Sequence, residues 1–437
     1  MKPADLKKSV DITIEIAGTQ TLTGTISGST VQDYRFQYDS DYLSRPAAVP
    51  ISISLPLQNE PFSPEATAAF FNGLLPEGFT RLSVANWMHE QPEDYLAILA
   101  GLGSECLGAI QVLSHDFSEI TPAPSYELLT LDQVRELAQE GASVSTELVT
   151  RAHLSLTGAS GKVGLYLDDS GRWYLPKGNA PSTHIVKQSH IRLQSIVTNE
   201  QMTQQTASRL GIEVPESFII NTGDGRDQDV LLATKRYDRR TDANSPVLAG
   251  LPVPYRLHQE DFAQAMGIPS EKKYEKENQF ESGYLPLMFR LIRSVSKNPL
   301  DDMLKLWDRI VFCFLAGNTD SHIKNFSLLY DGALKSMRLA PAYDLVSTAV
   351  YKSSTRDMAF FIGDEISLDR IGRHSFETAA GRCGINPALA MKRLDIMCSS
   401  FEAAIRESSK ALKELGLPDT NKIRDQILLQ GGYGKIV

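Results

Sequence analysis

A two-lobed α+β architecture, strand-rich first and all-helical later, is what this sequence predicts. Three observations lead there. The 437 residues are too many for one compact core, so two or three domains are expected. Period-two alternation recurs through the first part of the chain, whereas after about residue 258 the apolar spacing is helical almost throughout. A composition of 42% hydrophobic and 22% charged residues is that of a globular protein.

The elements follow in order. "VDITIEIAG" alternates apolar and polar residues, Gly18 marks a turn, and "TLTGTI" resumes the alternation. "ISISLPL" (Ile51–Leu57) reads as another strand, stopped by Pro56. Ser63 and Pro64 start a helix that ends near Leu75. "PEDYLAILAGLG" is a helix and "GAIQVL" a strand, closing a small α+β unit at about residue 120. "ITPAPSYE" reads as a linker, and "TLDQVRELAQEG" as a helix ended by Gly141. "AHLSLTG", "KVGLYLD", "RWYLPKG" and "THIVKQ" are strand patterns. A helix follows from Thr198, as N-cap, to Leu210, with Gly211 as its stop. "SFIIN" and "VLLATKRYD" pair across "TGDGRDQ". The expected divisions are residues 1–120, 121–250 and 251–437, the last helical.

Several function classes recede. A net charge of -9 argues against broad nucleic-acid binding by the chain itself. No apolar run reaches membrane-spanning length, and no secretory signal opens the chain, so a cytoplasmic protein is expected. Cys106, Cys313, Cys383 and Cys398 form no CxxC pair and read as buried free thiols.

The chemistry concentrates in "AGNTDSHIKNFSLLYDGALKSMRLAPAYDL". An apolar helix ends at Gly317, Asp320 lies on the loop beyond it, and Asn325 follows five positions later. Asp344 reads as the end of a strand, "LAPAYDL". Phosphoryl transfer needs an Asp to accept a hydroxyl proton, an Asn for Mg²⁺ and a further Asp for Mg²⁺. Protein kinases space the first two as D-x-x-x-x-N, matched by Asp320-Ser-His-Ile-Lys-Asn325. The spacing alone also arises by chance in polar loops. Ahead of it, "SLTGASGK" (155–162) is a small-residue loop whose N–H groups suit phosphates, although it is no Walker A loop. Lys187 ends a strand and could pair the α/β-phosphates, with Glu200 on the next helix to hold it. A snorkelling lysine and a first-turn acid are the plainer readings of those two. "ATKRYDR" (233–239) stands where a kinase has its hinge.

Taken in order, these motifs resemble the HipA-type toxins, serine/threonine kinases of bacterial type II toxin–antitoxin pairs. The resemblance runs through "FFNGLLPEG", "LSLTGASGK", "PKGNAPSTHIVK", "NEQMTQQTASRLGIEVP", "KRYDRR", "LHQEDFAQAMGIPSEKKYE", "AGNTDSHIKNFSLL" and "LAPAYDLVST". It implies a kinase-like fold using ATP and Mg²⁺, with Asp320 as catalytic base and Asn325 and Asp344 as Mg²⁺ ligands. It implies ATP contacts from Lys187, from Gly158, Ala159, Ser160, Gly161 and Lys162, and from the hinge at Lys235 and Tyr237. His322 and Lys324 would help fix the loop or the γ-phosphate, and Ser155 matches a serine whose autophosphorylation switches such kinases off. The family loop commonly reads G-A-Q-x-K, and this chain departs from it with Gly158-Ala159-Ser160-Gly161-Lys162.

The implied partners are a HipB-like helix-turn-helix antitoxin, operator DNA reached mainly through it, and a protein substrate such as an aminoacyl-tRNA synthetase. Phosphorylation of that substrate would block translation and promote growth arrest and persistence. A silent antitoxin-binding corepressor and a small-molecule phosphotransferase of kinase-like fold are the alternative readings.

Overall fold

The computed structural model describes residues 8–102, 106–114, 123–140, 162–188, 193–277 and 283–436. The chain forms two compact units interleaved in sequence. One comprises Met1–Gln188, Lys235–Ser270 and Leu329–Lys335; the other comprises Ser189–Thr234, Glu271–Leu328 and Ser336–Val437. This divides the chain differently from the three linear stretches expected from composition.

Two antiparallel arrangements carry the longer strands described in the first unit. β1 (Lys8–Ile16) pairs with β2 (Thr19–Gly28) and, on its other side, with β4 (Ile110–Ser114). β3 (Arg35–Tyr38) covers the free edge of β2. The alternation read from "VDITIEI" buries Val10, Ile12 and Ile14, and Phe36, Phe70 and Phe71 are buried in the same unit. In the second arrangement β5 (Ser125–Leu128) pairs with β7 (Trp173–Lys177), β7 with β6 (Lys162–Leu167), and β6 with β8 (His184–Gln188). The end of the expected linker is thus an edge strand, because Ser125–Leu128 finds donors and acceptors along β7.

"ISISLPL" is not a strand; only an isolated bridge joins Ser52 and Leu55. The physical reason is a buried carboxylate. Glu260 accepts hydrogen bonds from the Ser52 hydroxyl (2.5 Å) and the Ile53 N–H (3.2 Å), so that backbone N–H serves an acid and not a neighbouring strand. The Tyr330 hydroxyl donates to the same carboxylate. Complete burial pushes the Glu260 carboxyl up to about 7, against the three hydrogen bonds that lower it.

Helices dominate the second unit. The 18-residue helix Pro299–Ala316 is buried along most of its length. The 28-residue helix Pro387–Glu414 packs on it, with the Trp307 indole N–H donating to the Ala390 carbonyl (3.1 Å) and Phe312 tilted on Phe401. Thr206 reaches the same long helix through Ser408 (3.1 Å). β9 (Ser217–Asn221) and β10 (Val230–Lys235) form the expected antiparallel pair. Strands Asp357–Ile362 and Glu365–Ser367 also pair, so the later part of the chain is helix-dominated rather than all-helical. The helix expected from Thr198 runs over Ile196–Arg209 with Ser195 at its N-cap. The earlier start follows from Asp227, whose carboxylate accepts the Ser195 N–H (2.8 Å) and fixes the entry. The four cysteines are buried free thiols, and among the described residues no helix is long and apolar enough to cross a membrane.

Glu260 yields a pH dependence. Its folded pKa lies above its unfolded value, so its contribution to stability is complete below about pH 4.5 and is lost as pH rises through about 7. The melting temperature of Glu260→Gln is expected to vary less between pH 5 and pH 8 than that of wild type. The difference amounts to at most about 3 kcal/mol. Parallel pH profiles for the two proteins would remove Glu260 as the source.

Candidate functional site

The loop that carries Asp320 is set by the end of the helix before it. Gly317 closes helix Pro299–Ala316 in the left-handed region (φ 70°), and its N–H satisfies the carbonyls of Cys313 and Phe314. A Cβ at Gly317 would also lie 2.8 Å from Ala349 Cβ and 3.0 Å from Gly431 Cα, so glycine is required twice over. Thr319 then anchors the loop through the Thr348 hydroxyl (2.8 Å to the amide, 2.7 Å between hydroxyls). Beyond it the chain folds on itself. The Asp320 carbonyl accepts the His322 N–H (2.8 Å) and the Asn325 side-chain amide (2.9 Å), and the His322 carbonyl accepts the Asn325 N–H (2.8 Å).

The outcome is a short, tightly wound turn with the Asp320 side chain exposed and His322, Lys324 and Asn325 buried. The Tyr274 hydroxyl donates to Asp320 Oδ1, and the Tyr274 ring meets the His322 ring edge-on at 5.2 Å.

Asp344 is brought to the same place by residues the sequence reading passed over. It does not end a strand: the strand there is Met337–Leu339, and Asp344 has a left-handed backbone (φ 51°). The cause is a set of side chains that seize the backbone around it. Arg309, from the middle of the apolar helix, donates through one nitrogen to the carbonyls of Asn325 and Tyr343 (3.3 Å for the latter). Asn318 donates to the Asp344 carbonyl (3.1 Å). The Tyr343 hydroxyl donates to the Lys324 carbonyl (2.9 Å). Asn199, next to Glu200 on helix Ile196–Arg209, exchanges two bonds with the Ser347 backbone (2.9 and 3.1 Å). Glu200 lies in the second turn of that helix, buried, and accepts from Gln204 (3.1 Å). A lone arginine inside "DRIVFCFLAG" was the available signal for Arg309, since a buried charge demands partners.

The first unit holds the remaining candidates. Lys162 on β6 and Lys187 on β8 stand directly opposite one another in the ladder. Cross-strand partners project from the same face, and like charges so placed repel unless an anion lies between them. Lys235 is exposed, and the Tyr237 hydroxyl donates to Gln259. Between and beyond them Arg236 and Arg239 enclose the buried carboxylate of Asp238 (2.7 and 3.0 Å), which also accepts the Gly108 N–H (2.7 Å). These partners hold Asp238 well below the usual carboxylate range despite its burial. Ser155, Gly158, Ala159, Ser160 and Gly161 lie outside the described residues.

The donor set can be tested against Mg²⁺. Asn325 spends its amide nitrogen on the Asp320 carbonyl, which leaves its oxygen as the end free to ligate. The Asp344 carboxylate is, by residue type, a second hard oxygen donor. Among the described residues no three His, Cys, Asp or Glu side chains gather as a metal site. Mg²⁺ held with nucleotide phosphates and waters needs only one or two protein ligands, so the pair fits it.

A helical unit offering an Asp–Asn loop, alongside a strand-rich unit with opposed lysines, is a two-lobed α+β fold of kinase-like type. The comparisons with known proteins are specific: the HipA-like C-terminal domain matches residues 154–405 and the HipA N-terminal domain matches residues 14–113, so the chain belongs to the HipA family of serine/threonine kinase toxins. It is 35% identical to Y4mE of Sinorhizobium fredii, over 88% of this chain and 90% of that protein. It is 23% identical to the serine/threonine-protein kinase toxin HipA of Shewanella oneidensis, over 91% of this chain and 89% of that one. The fold matches that HipA as solved with HipB and operator DNA, with a TM-score of 0.76, 22% identity and 96% coverage of each chain.

Lysine ends short of the guanidinium nitrogen that reaches both carbonyls, and it lacks the planar group that lies over the Phe326 and Tyr343 rings. Arg309→Lys is expected to lose about 2–4 kcal/mol in denaturant unfolding, the penalty for stranding buried polar groups. Unchanged stability in that variant would show that the guanidinium does not anchor the two segments.

Proposed function

We propose that this chain is a toxin-type protein kinase that transfers the γ-phosphate of ATP to a serine or threonine of a bacterial protein. Its substrate is an aminoacyl-tRNA synthetase, and phosphorylation blocks translation and drives growth arrest. The observation that carries this reading is the Arg309-held pairing of the Asp320–Asn325 loop with the Asp344 turn. Family membership supplies the reaction class.

In this reading the acceptor hydroxyl loses its proton to the Asp320 carboxylate as its oxygen bonds to the γ-phosphorus. The bond between that phosphorus and the β–γ bridging oxygen breaks, and ADP leaves. Lys187 and Lys162, facing one another across β8 and β6, take the phosphates between them. The backbone at Lys235 and Tyr237 receives the adenine. His322 and Lys324, both buried, stiffen the turn between base and metal ligand. Asn325 and Asp344 hold Mg²⁺, which neutralises charge on the phosphates when bound. Residues 1–120 form an accessory α+β part, 121–250 the nucleotide-binding part, and 251–437 the part with the catalytic loop.

Regulation follows the family's pattern. Ser155, in the loop "SLTGASGK", is the site of self-phosphorylation, which adds charge beside the phosphate-binding loop and switches the kinase off. A HipB-like antitoxin neutralises the toxin and carries most of the contact with operator DNA, which suits the net charge of -9. The setting is cytoplasmic.

Two experiments test this. Wild type with Mg²⁺ and ATP should label a synthetase-sized band in a bacterial lysate, and Asp320→Ala should reduce that labelling by at least about a hundredfold. Equal labelling by the two proteins ends the assignment of Asp320. After preincubation with ATP, Ser155→Ala should keep its activity longer than wild type; identical decay excludes Ser155 as the switch.

A further inference from the structure

The proposed mechanism leaves one contact at the base unexplained. Asp320 has an exposed side chain, and an exposed carboxylate turns freely unless something fixes it. Its Oδ1 accepts the Tyr274 hydroxyl. That tyrosine is itself held from several directions. Its ring meets the His322 ring edge-on (5.2 Å, 82° between planes), and the Lys273 ammonium lies 5.5 Å from its centroid.

The backbone that carries Tyr274 is fastened on both sides of it. On the N-terminal side the Lys272 carbonyl accepts the Tyr284 hydroxyl. On the C-terminal side the buried Glu275 carboxylate accepts the Phe361 N–H (2.9 Å), and Lys276 pairs with Asp357. Glu275 is 6% exposed, and burial raises its pKa, so that carboxylate is built into the interior and is not a surface acid. A phenol delivered by a stretch fastened this way is a fixed donor.

We propose that Tyr274 is the positioning residue for Asp320. Its hydroxyl occupies Oδ1 and so directs Oδ2 towards the acceptor hydroxyl. A base held by a third group is the arrangement that proton abstraction requires, since a carboxylate in the wrong rotamer cannot reach the proton. The chemistry of the site also favours a phenol here. Tyrosine donates one hydrogen bond without bringing a charge, so Asp320 keeps its negative charge for the proton it receives. A lysine or arginine in that place would form an ion pair competing with that role.

This inference rests on the assignment of Asp320 as base, and the test separates the two. Tyr274→Phe keeps the ring against His322 and removes only the hydroxyl. Initial rates of γ-phosphate transfer from labelled ATP to the lysate band are measured for wild type, Asp320→Ala and Tyr274→Phe, with melting temperatures for each. The expected result is a fall in kcat of about tenfold or more for Tyr274→Phe, the weight of a hydrogen bond to a charged group. KM for ATP and the melting temperature stay at wild-type values. A wild-type kcat overturns the proposal, as does a rise in KM alone. A faster variant overturns it too, since the tyrosine would then be covering the base. If Asp320→Ala labels as well as wild type, the parent reading fails, whatever Tyr274→Phe does.

Discussion

One buried guanidinium holds the candidate site together. Arg309 lies in the apolar helix Pro299–Ala316, 2% exposed, where an unpartnered charge would cost several kcal/mol. Its solution is to sit over the rings of Phe326 and Tyr343 (4.4 and 5.3 Å to the centroids) and to donate to the carbonyls of Asn325 and Tyr343. Two chain segments 18 residues apart therefore share one donor. Tyr343 repeats the link in the opposite direction through its hydroxyl, which reaches the Lys324 carbonyl and Ser327 (2.6 Å). The left-handed backbone of Asp344 is a consequence. A non-glycine residue accepts that conformation only where its surroundings determine it, and here the Tyr343 carbonyl and the Asp344 carbonyl are both bound.

The same economy of buried charge governs the other unit. In "KRYDRR" neighbouring residues take different roles. Arg236 and Asp238 turn inward with Arg239, binding Ser182, Gly108 and the Cys106 carbonyl, while Lys235 stays exposed. The stretch looks from its composition like a charged strand end. Its inward half is an ion cluster with its hydrogen bonds largely satisfied, the condition under which a buried pair is tolerated. Such a cluster fixes the path of the backbone at the position where the family resemblance sets the hinge. Glu260 is the contrasting case: the donors described around it are neutral, and its burial keeps its pKa raised against them.

Much was legible in the sequence because it depends on local rules. Alternation in "VDITIEI" and "KVGLYLD" specified strands, Ser63–Pro64 specified a helix start, and Gly317 specified a helix stop. Chemistry-bearing residues at characteristic spacings, Asp320, Asn325 and Asp344 above all, pointed to the family and to the proposed site. The misreadings share one origin. "ISISLPL" alternates like a strand, but Glu260, more than two hundred residues later, takes its donors. "LAPAYDL" reads as a strand, but Arg309 and Asn318 bend it into the turn at Asp344. The sequence by itself determined the local periodicities, the caps and the inventory of reactive side chains, since these follow from neighbours along the chain. Only the tertiary structure decided which backbone groups the long polar side chains Arg309, Asn199, Tyr274 and Glu260 would capture. Such bonds join residues far apart in sequence, and a buried polar group takes whichever partner the fold brings within reach.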